Sequence, residues 1–206
     1  MKEKYILLLL FIVFRTVNYA QTSDTWKVFS GVIDPKNYYG VTVANGMIGL
    51  VSSPEPMKVK DVVLNGAYDY YQRGRVSNIL KTFNAANMNL EVDGQRINRA
   101  SISNYAQILN MKQASLTTTF EVTDKISVSH TLMALRHLPY SALLIVEIKA
   151  KKNAMITPMS VIEAPDHLTD VRNLYSEIDR PHVLIPLMTS VAKSPSGKLT
   201  VAASNS

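Results

Sequence analysis

Apolar and polar residues alternate along two neighbouring stretches in the middle of the chain, residues 115–122 and 126–133. A period of two is typical of a strand that buries one face and exposes the other to water. Only Thr123, Asp124 and Lys125 separate the two stretches, which is short enough for a hairpin loop. The pattern therefore predicts an antiparallel strand pair, with His130 among the apolar residues of the second strand.

Three further strands are predicted in the second half of the chain. Residues 141–150 contain a run that is apolar on both faces, which is typical of a strand in the middle of a sheet. The stretch 155–163 contains Pro158, which favours an edge strand or a bulge because proline cannot donate a ladder hydrogen bond. Alternation resumes over 198–202 after the turn-like run 192–197, which predicts another hairpin.

Two dipeptides that favour tight turns divide strand-like runs in the first half of the chain. Asn45-Gly46 and Asp93-Gly94 each lie between two short stretches of strand-forming residues. Both members of such a pair tolerate a positive φ, which the two-residue type I′ hairpin loop requires. Asn45, Gly46, Asp93 and Gly94 are therefore predicted to be structural turn residues, together with Gly49 just beyond the first pair.

These elements predict an all-β fold. Turn signals recur at roughly the 8–12-residue spacing of sandwiches and barrels, and no helical stripe is longer than about two turns. The stretches 72–84 and 166–180 are the best candidates for short helices or long loops. We therefore predict a twisted antiparallel β-sandwich with one or two short helices.

The N-terminus has the three-part layout of a secretory signal peptide. Lys2 and Lys4 precede an apolar run over residues 5–14, and a short polar stretch ends at Ala20. Ten apolar residues are too few to cross a bilayer core of about 30 Å, although an N-terminal membrane anchor is the alternative. We predict a signal peptide at 1–20, a single domain at 21–206, export to the periplasm or beyond the cell, and no stable membrane span after cleavage.

Composition and charge exclude several function classes. The 206 residues include no cysteine, which excludes disulfides, thiolate metal sites and a cysteine nucleophile. Lys and Arg (22) outnumber Asp and Glu (16), but the positive charges are scattered and form no basic stripe. We therefore predict no nucleic-acid partner.

The common catalytic motifs are missing from the sequence. Glu163, Asp166, His167 and Asp170 are the nearest approach to a metal-ligand cluster, since all four fall within eight residues. The interpretation we prefer is that Asp166 caps a short helix beginning near His167. A lone histidine on an apolar strand face, such as His130, is usually a packed core residue. No catalytic residue, metal site or cofactor is predicted.

An aromatic cluster is the part of the sequence that most resembles a binding site. Flat rings can stack on the C–H face of a sugar, while neighbouring polar groups bond its hydroxyls. The candidate carbohydrate-binding residues are Tyr68, Tyr70, Tyr71 and Arg73. Tyrosine at alternate strand positions is also ordinary sheet composition, which is the alternative. Tyr38-Tyr39 is a second pair of the same kind.

Several segments in a fixed order carry a family resemblance. They are Val43–Leu50, Leu64–Asp69, Leu109–Phe120, Met133–Leu138 and Ala142–Ile148. Together they resemble the N-terminal domain of glycoside hydrolase family 65 over about residues 37–163. The family includes α-glucoside phosphorylases, acid trehalases and glucosyl-hydroxylysine glucosidases.

The resemblance implies a large super-sandwich of the galactose-mutarotase type, packed beside an (α/α)6 barrel that holds the catalytic groups. Together with the signal-like N-terminus, it implies that this chain is the non-catalytic N-terminal part of an exported enzyme, C-terminally truncated, with that barrel as its partner. The parent enzyme would cleave an α-glucoside by hydrolysis or phosphorolysis. The alternative is a stand-alone module that binds a glycan or another surface.

Overall fold

The computed structural model describes residues 25–70, 74 and 76–206. The predicted signal peptide, Tyr71 and Arg73 lie outside the described residues. The described strands are β1 (Lys27–Ser30), β2 (Thr42–Ala44), β3 (Ile48–Ser52), β4 (Val59–Tyr70), β5 (Ser77–Thr82), β6 (Asn84–Val92), β7 (Gln95–Arg96), β8 (Ile102–Asn110), β9 (Ser115–Val122), β10 (Ile126–Ala134), β11 (Ala142–Ala150), β12 (Ile156–Glu163), β13 (Thr169–Arg180), β14 (Val183–Lys193) and β15 (Thr200–Asn205). Two short 3₁₀ helices span Pro35–Asn37 and Arg99–Ser101.

The strands form antiparallel sheets, which confirms the all-β sandwich. The largest sheet has the order β1-β8-β9-β10-β11, and a second has the order β2-β3-β4-β5. Two three-stranded sheets have the orders β12-β6-β7 and β13-β14-β15. None of the helices among the described residues is long and apolar enough to cross a bilayer.

The predicted central hairpin is confirmed. β9 and β10 pair in register from Val122 opposite Ile126 to Leu116 opposite Leu132. Buried and half-buried positions alternate along both strands, because every second side chain points into the sandwich. The buried face of this hairpin packs against the other sheets.

The core consists of three apolar clusters that join the sheets. Leu50 and Val62, on β3 and β4, pack with Leu132 of β10. Leu90 of β6 packs with Phe120 of β9 and its neighbours. The third cluster joins β5 to the last sheet and contains Leu80, Phe83, Leu168, Ala192 and Val201. The last sheet is thereby fixed to the end of the β4–β5 hairpin.

The two predicted turns differ in detail. Asp93 and Gly94 both have positive φ, at 52° and 77°, and connect Val92 to Gln95 as the type I′ loop requires. In the first turn, the Asn45 amide donates to the carbonyl of Ile48, so Gly46 and Met47 form the loop. Only Gly46 has a positive φ there, at 90°, which is the type II′ pattern. The turn is therefore one residue later than predicted.

The assignment of Gly49 to a turn is wrong. Gly49 lies inside β3, opposite Ala44, where a Cβ atom would come within 3.2 Å of a methyl group of Val63. Its small size serves close strand packing instead. Asn45 does have a structural role, because its side chain accepts hydrogen bonds from the amides of Met47 and Ile48 and donates one to the carbonyl of Leu135.

The predictions for 72–84 and 166–180 are wrong where these stretches are described. They contain the strands β5 and β13 instead of helices or long loops. Asp166 and His167 lie in a turn before β13, so Asp166 caps no helix. Long strands were missed here because charged residues at many positions of 169–180 hide the period of two.

The position of β11 also differs from the prediction. β11 pairs with β10 along its whole length and forms the edge of the five-stranded sheet, although its sequence favoured a central position. β12 pairs only with β6 and has a register shift between Val161 and Glu163. The edge position that Pro158 favoured is therefore confirmed, while the register shift lies three residues further along the strand.

Candidate functional site

Two of the candidate tyrosines project from the end of β4. Tyr68 and Tyr70 are two residues apart and therefore lie on one face of the strand, with their Cα atoms roughly 7 Å apart. Ile79 lies directly opposite Tyr68 on β5, and all three side chains are exposed by 44–52%. The Nζ of Lys198 lies 5.6 Å from the centre of the Tyr70 ring, within cation–π distance. We call Tyr68, Tyr70, Ile79 and Lys198 the tyrosine shelf.

Asp69 connects the tyrosine shelf to the last sheet. Its side chain points to the opposite face from the two tyrosines and is only 4% exposed. One carboxylate oxygen accepts hydrogen bonds from the backbone amide of Ser196 at 3.0 Å and from its hydroxyl at 2.8 Å. The other accepts the Tyr70 amide at 2.7 Å. The β14–β15 turn is thus held against β4, and this brings Lys198 over the Tyr70 ring.

The electrostatics of Asp69 favour its ionised form. Burial by itself would raise the pKa of this carboxyl. Hydrogen bonds from the Ser194 and Ser196 side chains and from the Ser196 and Tyr70 amides outweigh burial and hold the pKa well below its usual range. Asp69 is therefore a permanent anion that orders the turn, and its role is structural.

The tyrosine shelf has the chemical features of a modest sugar-stacking surface. Two exposed rings and one aliphatic side chain can cover an apolar sugar face, and the Lys198 ammonium can donate to hydroxyls. The structure thus brings together Tyr68 and Tyr70 of the predicted group. Lys198 was missed, because its position 128 residues after Tyr70 leaves no local signal in the sequence.

The two residues of the second tyrosine pair, Tyr38 and Tyr39, lie in different surroundings. The Tyr38 hydroxyl is within hydrogen-bond distance of Ser52 Oγ and donates to Gln107 Oε1, which ties the ring to β3 and β8. Tyr39 is 87% exposed. These two residues form no common surface comparable with the tyrosine shelf.

The acidic loop does not assemble into one site. Glu163 pairs with the Lys58 ammonium and accepts from the Asn87 amide, and these bonds lower its pKa although its partial burial acts to raise it. His167 Nε2 lies 2.9 Å from the carbonyl oxygen of Lys81. Within residues 25–70, 74 and 76–206, no three His, Cys, Asp or Glu side chains converge as a metal site would require.

His130 lies on the buried face of β10, between Thr118 of β9 and Val146 of β11. It is 4% exposed, and its Nε2 atom has no hydrogen-bond partner among the described residues. Burial lowers its pKa to about 4, so the ring is neutral at physiological pH. The surroundings are those of a core residue.

A cleft of about 750 Å³ opens between β11 and the end of β15. Its floor includes Leu50 of β3 and Val62 of β4, and its walls include Leu144 and Ala203. Sequence patterns did not indicate this cleft, because its walls come from strands far apart in the chain.

Comparisons with known proteins agree with one another. The family model described as glycosyl hydrolase family 65, N-terminal domain, matches residues 40–204. The chain is 52% identical over 185 residues to a kojibiose hydrolase of Mucilaginibacter mallensis, covering 90% of this chain and 27% of that protein. It is 42% identical over 205 residues to a kojibiose hydrolase of Flavobacterium johnsoniae, covering 98% and 30% respectively. The chain thus spans less than a third of the length of these relatives.

A solved structure has a similar fold. It is a protein from the human microbiome, provisionally described as a kojibiose phosphorylase, with a TM-score of 0.65 and 10% sequence identity. The match covers 87% of this chain and 27% of the other chain. At this identity the likeness shows the fold alone.

Proposed function

Since the chain belongs to glycosyl hydrolase family 65, where it corresponds to the N-terminal domain, we propose that it is the non-catalytic β-sandwich of an exported α-glucoside hydrolase. In this role it packs beside an (α/α)6 barrel that carries the catalytic groups. Hydrolysis is favoured over phosphorolysis because the signal-like N-terminus directs the protein to a compartment with less free phosphate. The two kojibiose hydrolases among its relatives make kojibiose the first substrate to test.

The observation that carries the docking role is an exposed aliphatic surface on the β13–β14 ribbon. Strand register places Leu174 and Ile178 of β13 on the same face as Val183 and Ile185 of β14. These side chains are 36–58% exposed. Monomeric proteins rarely expose a contiguous apolar patch of this kind, which instead marks an interaction surface. A packed neighbouring domain is the partner that this proposal assigns to the ribbon.

The state of the carboxylates supports a non-catalytic role. A general acid in glycoside hydrolysis needs a pKa raised toward neutrality. Among the described residues, every carboxyl group with a resolved shift has its pKa lowered by hydrogen bonds: Asp69, Asp93, Glu121 and Glu163. These groups are structural anions and are poor proton donors at neutral pH.

The proposal predicts that the purified 206-residue chain releases no glucose from kojibiose, because its described residues form strands and two short 3₁₀ helices and not the (α/α)6 barrel. A chimera in which this chain replaces the matching part of the Mucilaginibacter mallensis enzyme should hydrolyse kojibiose. Glucose release from each protein is the measurement. Glucose release by the pure chain alone would contradict the proposal.

The same chimera tests the docking surface. Leu174→Asp together with Ile178→Asp should lower the melting temperature of the chimera and its activity, because charges would be buried against the barrel. Val28→Asp is the matched control, since Val28 is 55% exposed on β1 in a different sheet. Equal behaviour of the two variants would show that the ribbon faces solvent in the whole enzyme.

A second candidate function, glycan binding, rests on the tyrosine shelf. If the shelf binds an α-glucoside, Tyr70→Ala should weaken retention on an immobilised α-glucan by roughly tenfold, because losing a stacked ring costs about 1–1.5 kcal/mol. Tyr39→Ala is the matched control, since Tyr39 is exposed but lies outside the shelf. Unretarded elution of the unmodified chain would exclude this function.

A further inference from the structure

The unpaired edge of β11 is regular, and it is apolar over its first five residues. Its nine residues pair with β10 in one continuous register without a bulge. The sequence of β11 contains no proline, and its first charged residue is Glu147, the sixth of its nine residues. A long, regular and apolar edge of this kind is an open template for another strand.

Most of the other described edges are blunted in the ways that usually prevent pairing, whereas β15 is an edge of six residues with no proline, charged residue or register shift. β1, β2 and β7 have two to four residues each. β12 contains Pro158 and a register shift, and β13 has a register shift and several charged residues. Short length, proline, bulges and charges all disfavour strand addition. Residues 142–146 of β11 have no such protection, since the charged residues of this strand are Glu147 and Lys149.

The cleft beside β11 suits the side chains of an added strand. Ala142, Leu143, Leu144 and Val146 form one wall, and among the described residues no Asp, Glu, Lys, Arg or His side chain lines the cleft. An added strand would place alternate side chains on one face. The lining therefore favours an occupant with apolar residues at alternate positions and disfavours a charged ligand.

We infer that β11 and this cleft accept a β-strand from the polypeptide that follows the matched region in longer members of the family. The Mucilaginibacter mallensis relative is matched over only 27% of its length, so it has ample polypeptide beyond this region. Residues 202–206 line the cleft, so polypeptide continuing from them starts beside it. The strand would bond the free edge of β11 by β-augmentation. This inference depends on family membership and not on the docking or glycan proposals.

Amide hydrogen exchange tests the inference on two proteins. One is the chain itself, and the other is the chain extended by the segment that follows the matched region in the Mucilaginibacter mallensis enzyme. Exchange across residues 142–150 should be at least roughly tenfold slower in the extended protein, because strand pairing protects edge amides. Exchange across β1, at the opposite edge of the same sheet, should be unchanged. Equal β11 exchange in both folded proteins would overturn the inference.

A pair of variants separates strand addition from general stabilisation. Leu143→Lys places a charge on the free edge strand beside the cleft, at a residue that is 40% exposed, so the chain alone should tolerate it. In the extended protein it should abolish the slower exchange of β11, whereas Val28→Lys should leave it intact. If the chain alone forms a dimer with β11 already protected, and Leu143→Lys makes it monomeric, the occupant is a second copy and the inference is overturned. Glucose release is a separate measurement, so failure here leaves the proposed function standing.

Discussion

Acidification from pH 7 to pH 4 is expected to lower the free energy of unfolding by about 3 kcal/mol through His130 alone. The folded-state pKa of this buried ring is about 4, below its ordinary value of 6.5. Between these two values the unfolded chain binds a proton that the folded chain resists. The stabilisation is therefore complete above pH 6.5 and is lost as the pH falls toward 4.

Urea unfolding at several pH values measures this effect. His130→Leu removes the titrating group, so the variant should lose about 3 kcal/mol less than the unmodified chain between pH 7 and pH 4. His137→Leu provides the matched control at an exposed histidine and should keep the original pH dependence. If His130→Leu retains the full pH dependence, the acid sensitivity comes from other groups.

Asp69→Ala is expected to lower the free energy of unfolding at pH 7 by about 3 kcal/mol, because it removes the charged acceptor of several hydrogen bonds. The donors left behind include the hydroxyl of Ser194, which is fully buried, and both donors of Ser196. Chemical denaturation at pH 7 measures the loss. Asp61→Ala is the matched control on the same strand, since Asp61 forms an ion pair with the half-exposed Lys81 in place of a set of buried hydrogen bonds, and its loss should cost about 1 kcal/mol.

The stabilisation by Asp69 is lost at a lower pH than the stabilisation by His130. The pKa of Asp69 in the folded chain lies below the ordinary value of 3.8, so its stabilisation is present above that value and is lost only at lower pH. The difference in stability between the unmodified chain and Asp69→Ala should thus stay constant from pH 7 to pH 5. A difference that shrinks over this range would show that the carboxylate is not the low-pKa anchor described here.

The same substitution connects the anchor to the tyrosine shelf. Because Asp69 holds the β14–β15 turn, its loss should free Lys198 from the Tyr70 ring. The retention test on an α-glucan can be repeated with Asp69→Ala at a temperature where the variant is folded. A loss of retention as large as that of Tyr70→Ala would show that the lysine, held by the turn, contributes to binding.

Local sequence patterns were sufficient to predict the strands whose two faces differ most in polarity. The alternation over 115–122 and 126–133 predicted β9 and β10, since burying one face of a strand imposes a period of two. Asp93-Gly94 predicted its turn because both residues tolerate the positive φ that the loop requires. The ordered segments between residues 43 and 148 indicated the family, which the comparison over residues 40–204 confirmed.

Local sequence patterns gave wrong predictions where tertiary contacts decide whether a segment is a strand or where the strand lies in its sheet. β13 was missed because both of its faces are exposed, so nothing selects for alternation. β11 was placed centrally because its sequence is apolar on both faces, yet it pairs on one side only. Sequence patterns predicted only part of the candidate site. Tyr68 and Tyr70 are neighbours in the sequence, whereas Lys198 belongs to a distant turn.

The amino-acid sequence by itself determined the strand-rich fold class, the tight turn at Asp93-Gly94 and the resemblance to glycoside hydrolase family 65. The first two depend on side-chain period and local backbone preference, which act over a few residues, and the third depends on the order of the matching segments. Only the tertiary structure decided that Asp69 anchors a turn 127 residues away, that β11 has a free edge and that a cleft lies beside it. Such features arise from contacts between distant strands, and their energies depend on burial that a single segment does not specify.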